Sequence, residues 1–185
     1  MILFINACVR EESRTKRLAD AALAKVTGPV EEVRLEMLHF PTVDGAFLKK
    51  RDRLIKDRVF DDPLFDLARQ FAEAEEILIA APYWDLSFPA SLKRYIEQIN
   101  VLGITFRYTE EGVPQGLCRA KKLTYVTTAG GDWVPTEFGF GYVEALAKTF
   151  YGIPEVRLIK ATGLDIAGAD AEGILRSAEN AAVVL

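Results

Sequence analysis

One histidine and two cysteines among 185 residues leave little material for metal or thiol chemistry. Cys8 and Cys118 stand far apart without the paired spacing of a zinc or redox motif, so they read as reduced thiols of a cytoplasmic protein. His39 has no ligand-spaced partners and is expected at the surface or in a structural role; no metal site is expected. No apolar run approaches the roughly 20 residues that a spanning helix needs, so membrane insertion is not expected. The four apolar residues after Met1 carry no basic leader and read as a first strand rather than a signal peptide. A net charge of −4 supplies no basic excess to neutralise phosphates, which argues against nucleic acid as a partner. G-x-G-x-x-G does not follow the first strand, and G-x-x-x-x-G-K-[ST] occurs nowhere. Gly139-Phe140-Gly141 has Glu144 in place of a third glycine and reads as a turn that opens a late helix.

The pattern that is present alternates short apolar runs with helical spacing, as stacked βαβ units do. Hydrophobic residues make up 50% of the chain and no polar low-complexity stretch occurs, so residues 1–185 are expected to form a single domain. Ile2 to Ile5 suits a central strand buried on both faces. Ser13 caps a helix over Arg14 to Val26, where Leu18, Ala19, Ala22, Leu23 and Val26 share a face. Val30 to Leu38 alternates as an edge strand would. Phe40 to Asp62 has weak periodicity and reads as a mobile loop or a short helix. Leu64 to Ala72 forms a helix and Ile77 to Ala81 a buried strand that breaks at Pro82. Leu92, Tyr95, Ile96 and Ile99 make the next helix face after Pro89, and Gly103 closes it. Leu123 to Ala129 is a strand, Val143 to Tyr151 a helix and Val156 to Ala161 a last strand, with an alanine-rich helix after it. The result is a doubly wound sheet of five strands. In such sheets ligands sit at the carboxyl ends of the strands where chain order reverses.

Three loops lie at those ends. Asn6 to Thr15 leads into a helix whose free N–H groups form an anion site, with Ser13 and Thr15 as hydroxyl donors. Arg10, Arg14 and Arg17 add positive charge there and Glu11 and Glu12 offset it; Ser13 as a plain cap and the arginines as a solvated face are the bland alternative. Pro82 to Pro89 places Tyr83, Trp84 and Phe88 after a buried strand, where a ring-shaped ligand could lie or where they merely seal the sheet end. Thr127 to Trp133 contains Gly130-Gly131, which lets backbone N–H groups approach a flat ligand or makes an ordinary turn. Lys49, Lys50, Arg51 and Arg53 read as a solvated charged face.

At Pro82 to Gly131, including Ser91-Leu92-Lys93-Arg94-Tyr95, Gly103 to Thr109 and the Gly-Gly loop, the sequence resembles the flavodoxin-like NAD(P)H:quinone oxidoreductases. Within them it is most similar to the FMN-dependent azoreductase branch. Phe150-Tyr151-Gly152-Ile153 fits as well. The resemblance implies a flavodoxin-like three-layer α/β fold with strand order 2-1-3-4-5. It implies FMN with its phosphate at Ser13-Arg14-Thr15 and its ring flanked by Pro82, Tyr83, Trp84, Asp85, Leu86, Thr128, Ala129, Gly130 and Gly131. NADH or NADPH would be the electron donor, and a small aromatic quinone, azo or nitro compound the acceptor. Trp84, Tyr108 and Trp133 are expected to form a slot that admits nicotinamide and acceptor by turns, which gives ping-pong kinetics. The family's site commonly spans a dimer interface, so a homodimer is implied. The alternative is a flavin-binding electron carrier or regulatory subunit without its own nicotinamide site. This chain departs from the family at Ala7-Cys8, where a small hydroxyl residue is common, and has Asp85 for the usual Asn. Ala129 and Trp133 stand in place of an Arg before Gly-Gly and a His after it.

Overall fold

Ile2–Asn6 (β1) is buried along its whole length because it lies mid-sheet, paired in parallel with Val30–Arg34 (β2) on one side and Glu76–Ala80 (β3) on the other. The computed structural model describes residues 1–182. After the short strands Phe106–Tyr108 (β4) and Pro114–Gly116 (β5) come Lys122–Thr128 (β6) and Glu155–Ala161 (β7). The main sheet has five parallel strands in the order β2-β1-β3-β6-β7, which is the expected 2-1-3-4-5 arrangement once the β4–β5 hairpin is set aside.

Alternate side chains of the sheet feed two helical layers. Phe4, Leu78 and Val126 pack against Leu18, Ala19 and Ala22 of α1 (Arg14–Leu23) and Leu175 of α6 (Ala171–Ala181). Leu3, Ile77 and Tyr125 face the other way, onto Phe71 of α3 (Asp66–Glu73), Tyr95 and Ile99 of α4 (Ala90–Ile99) and Val143 of α5 (Phe140–Leu146). The edge strand β2 reads as expected and buries only Val33.

Several boundaries differ from the sequence expectation. The region 40–62 holds a 12-residue helix, α2 (Gly45–Lys56), capped by Asp44, whose carboxylate accepts the Phe47 N–H at 2.8 Å. Its inward positions Phe47, Arg51, Leu54 and Ile55 follow helical spacing, but charged residues outnumber them and dilute the periodicity. α1 stops at Leu23 and β2 at Arg34, where a single 3-10 turn follows. The helix expected over 143–151 begins at Phe140 and finishes in a π turn, Ala147–Tyr151. The hairpin lies beside this turn, with Gly116 against the Tyr151–Gly152 backbone. The last residues of the expected 1–185 domain lie outside the described residues. Among those described, no helix is long and apolar enough to cross a membrane.

Candidate active site

The loop after β1 is pinned from its first residue: Asn6 donates to Glu32 Oε1 at 2.8 Å and accepts the Cys8 N–H at 2.9 Å. It delivers Ser13 in extended conformation as the cap of α1, where its hydroxyl accepts the Lys16 N–H at 3.2 Å. The N–H groups before Lys16 in this first turn have no acceptor inside the helix, and the helix dipole adds positive potential. Thr15 is buried and its hydroxyl pairs with that of Thr128 at 2.6 Å, tying the helix start to the end of β6. Arg14 reaches across to Asp165, 2.7 Å away, after β7. Arg17 points elsewhere, onto Glu172 and Glu179 of α6, so it adds no charge to this end of the cleft.

The loop after β3 makes a tight reversal at Trp84–Ser87, with Trp84 and Ser87 exchanging backbone hydrogen bonds of 3.1 and 2.7 Å. Both central residues are left-handed, Asp85 at φ 51° and Leu86 at φ 65°, as a type I′ turn demands. Asp tolerates that region; Leu does so only under strain. Tyr83 N–H donates to Thr128 O and its phenol to Pro135 O, both at 3.1 Å, and Ser87 Oγ donates to Phe138 O at 2.7 Å. These bonds fasten the segment after β6 over the turn. Partial burial, then the nearby Glu137 carboxylate, push the Tyr83 phenol above its ordinary range.

The loop after β6 is braced by the loop after β7. Gly163 N–H donates to Gly131 O at 3.0 Å, Leu164 N–H to Ala129 O at 3.2 Å and Asp165 N–H to Gly130 O at 2.9 Å. These elements enclose a cleft of about 420 Å³ at the carboxyl ends of β1, β3, β6 and β7, within the range of small-ligand and cofactor pockets. Its polar lining converges at the α1 terminus and its aromatic lining at Tyr83 and Trp84.

A family model described as "Flavodoxin-like fold" matches residues 1–184. The chain belongs to this family. This flavodoxin-like protein is 46% identical to the FMN-dependent NADH:quinone oxidoreductase 2 of Clostridium acetobutylicum, over 95% of this chain and 92% of that one. It is 35% identical to the FMN-dependent NADH:quinone oxidoreductase of Clostridium beijerinckii, over 96% and 93%. Among solved structures, an azoreductase from Bacillus anthracis superposes with a TM-score of 0.86 at 26% identity, covering 98% of this chain and 96% of that one.

In the flavodoxin-like protein, Ser13, Arg14, Thr15, Pro82, Tyr83, Trp84, Thr128, Ala129 and Gly130 all line the one cleft. Asp85, Leu86 and Gly131 adjoin it without lining it. Of the slot residues Trp84, Tyr108 and Trp133, Trp84 alone lines the cleft. Trp133 is 77% exposed beside it. Tyr108 sits on the hairpin, which packs against Tyr151 and Gly152 just ahead of β7, and does not line the cleft. Val9, Arg10 and Glu12 of the first loop also line the cleft, as expected of that loop, whereas sequence reasoning missed Leu164 and Asp165. These two follow the final strand; applying the carboxyl-end rule to every strand would have found them. His39 is exposed and outside the cleft. Burial pushes the Cys8 thiol up and the Cys118 thiol to about 12, so neither is an activated nucleophile.

Proposed function

We propose that this protein is an FMN-dependent oxidoreductase of one domain, residues 1–185, passing electrons from NADH to a quinone or azo-type aromatic acceptor. The observation that carries it is one cleft joining a helix N-terminus to an aromatic, left-handed turn at the sheet's reversal point. Full-length relatives named as FMN-dependent NADH:quinone oxidoreductases support the same activity.

The residues present fit FMN. A phosphate suits the unsatisfied N–H groups at Arg14 and Thr15, with the Arg14 guanidinium beside them. Pro82 to Leu86 and Thr128 to Gly131 would hold the ring, and a methyl group built on Gly131 meets nothing within 4 Å, so its backbone stays approachable. Bound FMN supplies hydride acceptance from the nicotinamide and electron delivery to the acceptor. The chain's own contribution is orientation: the Trp84–Ser87 turn fixes the ring side, and N–H groups of Gly130 and Gly131 would face the ring's electron-rich edge. Trp84 offers an exposed apolar face on which nicotinamide and acceptor would stack by turns, consistent with ping-pong kinetics.

A cytoplasmic homodimer completes the proposal. Tyr108, 49% exposed and not lining its own chain's cleft, would serve the slot of a partner. The free cysteines suit a reducing compartment. The test is to load purified protein with FMN, remove excess and add NADH without oxygen. Flavin absorbance should bleach and return when a quinone is added. Bound flavin that stays oxidised would leave only an electron carrier, and no bound flavin would end the proposal. Sedimentation analysis should give a dimer; a monomer that turns over fully would remove Tyr108 from the slot.

A further inference from the structure

Two glycines at the cleft make room for carboxylates. A methyl group on Gly130 would lie 2.3 Å from Asp165 Oδ2, and one on Gly163 would lie 2.3 Å from Asp132 Oδ1. The first glycine of the Gly-Gly pair therefore gives Asp165 its seat. From there Asp165 makes two anchoring bonds: its N–H to Gly130 O at 2.9 Å and its Oδ1 to Arg14 Nη1 at 2.7 Å. Arg14 Nη1 also lies 3.4 Å from Leu164 O. One side chain thus links the loop on the ring side of the cleft to the first turn of α1.

We propose that Asp165 is a positioning residue: seated on Gly130, it holds the Arg14 guanidinium at the cleft wall, poised for a phosphate-bearing ligand. This rests on FMN being the ligand. An arginine on an exposed helix terminus samples many rotamers and loses that freedom when it closes on an anion. Asp165 removes part of the loss in advance. Only one terminal nitrogen of Arg14 is engaged, so the guanidinium keeps N–H donors for a phosphate. The carboxylate is largely exposed, so salt and water screen its own repulsion of the phosphate.

The test compares FMN with riboflavin, which carries the same ring and side chain without phosphate, in titrations of the flavin-free full chain. Asp165→Ala should weaken FMN by about tenfold, the size of one lost charge-assisted hydrogen bond, and move riboflavin by less than about twofold. Asp165→Asn keeps an oxygen for Arg14 and should stay within about threefold of wild type. Adding Asp165→Ala to Arg14→Ala should weaken FMN no further than Arg14→Ala alone. Unchanged FMN affinity in Asp165→Ala, equal losses of FMN and riboflavin, or additive losses with Arg14→Ala would each overturn the inference. Wild-type protein that binds neither flavin would overturn the proposed function and this inference together.

Discussion

Single backbone positions decide what this fold tolerates. A methyl group on Gly116 would meet the Gly152 nitrogen and the Tyr151 carbonyl carbon at 2.2 Å, and those are backbone atoms that cannot step aside. Gly116→Ala should therefore cost about 3 kcal/mol or more in urea unfolding. Gly45→Ala, at an open helical position, should gain about 0.5 kcal/mol in the same assay. The turn at Leu86 makes the opposite prediction from its strain. Leu86→Gly should raise ligand-free stability by about 1 kcal/mol, and a lower thermal midpoint would show that φ 65° is comfortable for leucine here. None of these positions announces itself in sequence. Gly116 ends the second strand of a short hairpin, and Leu86 looks like an ordinary apolar residue until its backbone is seen. Ser13, by contrast, was legible as a cap because hydroxyl residues before an apolar-periodic run have few other roles.

At the scale of elements, what was legible followed burial on both faces. β1 and β3 are near-continuous apolar runs and were placed within a residue or so, since no competing periodicity exists for them. α2 was not recognised as a full helix because tertiary packing uses only Phe47, Arg51, Leu54 and Ile55 of its 12 residues, and five of the eight others are charged. The hairpin left no pattern in the sequence, because strands of three residues carry too few side chains to show alternation. α4 holds a further consequence. Tyr95 is fully buried and its hydroxyl has no hydrogen-bond partner, a cost that its ring packing must outweigh. Tyr95→Phe should stabilise the protein by about 1 to 2 kcal/mol. A loss of stability would mean that the hydroxyl finds a bond in solution.

Over the whole molecule, the three-layer order was legible because alternating element types restrict topology, and the cleft because ligands follow the strand ends. The cross-bracing of the last two loops was not, since it joins residues more than thirty positions apart through backbone atoms. Buried acids of high pKa are spread through the core. The Cys118 thiol rises from its ordinary 9.0 to about 12, and burial also raises the phenols of Tyr95, Tyr125 and Tyr151. The folded state keeps these protons where the unfolded chain has released them. Stability should therefore hold below about pH 9 and fall as pH rises beyond it. A urea midpoint that stays flat from about pH 8 to pH 11 would contradict this. The paired glycines and aspartates finally limit how this protein can change. Alanine at position 130 requires the Asp165 carboxylate to leave first, and alanine at 163 requires the same of Asp132 while also accepting a left-handed φ of 76°. In a library randomised at all four positions, survivors should link 130 to 165 and 163 to 132, with the aspartate shortened before either glycine is replaced.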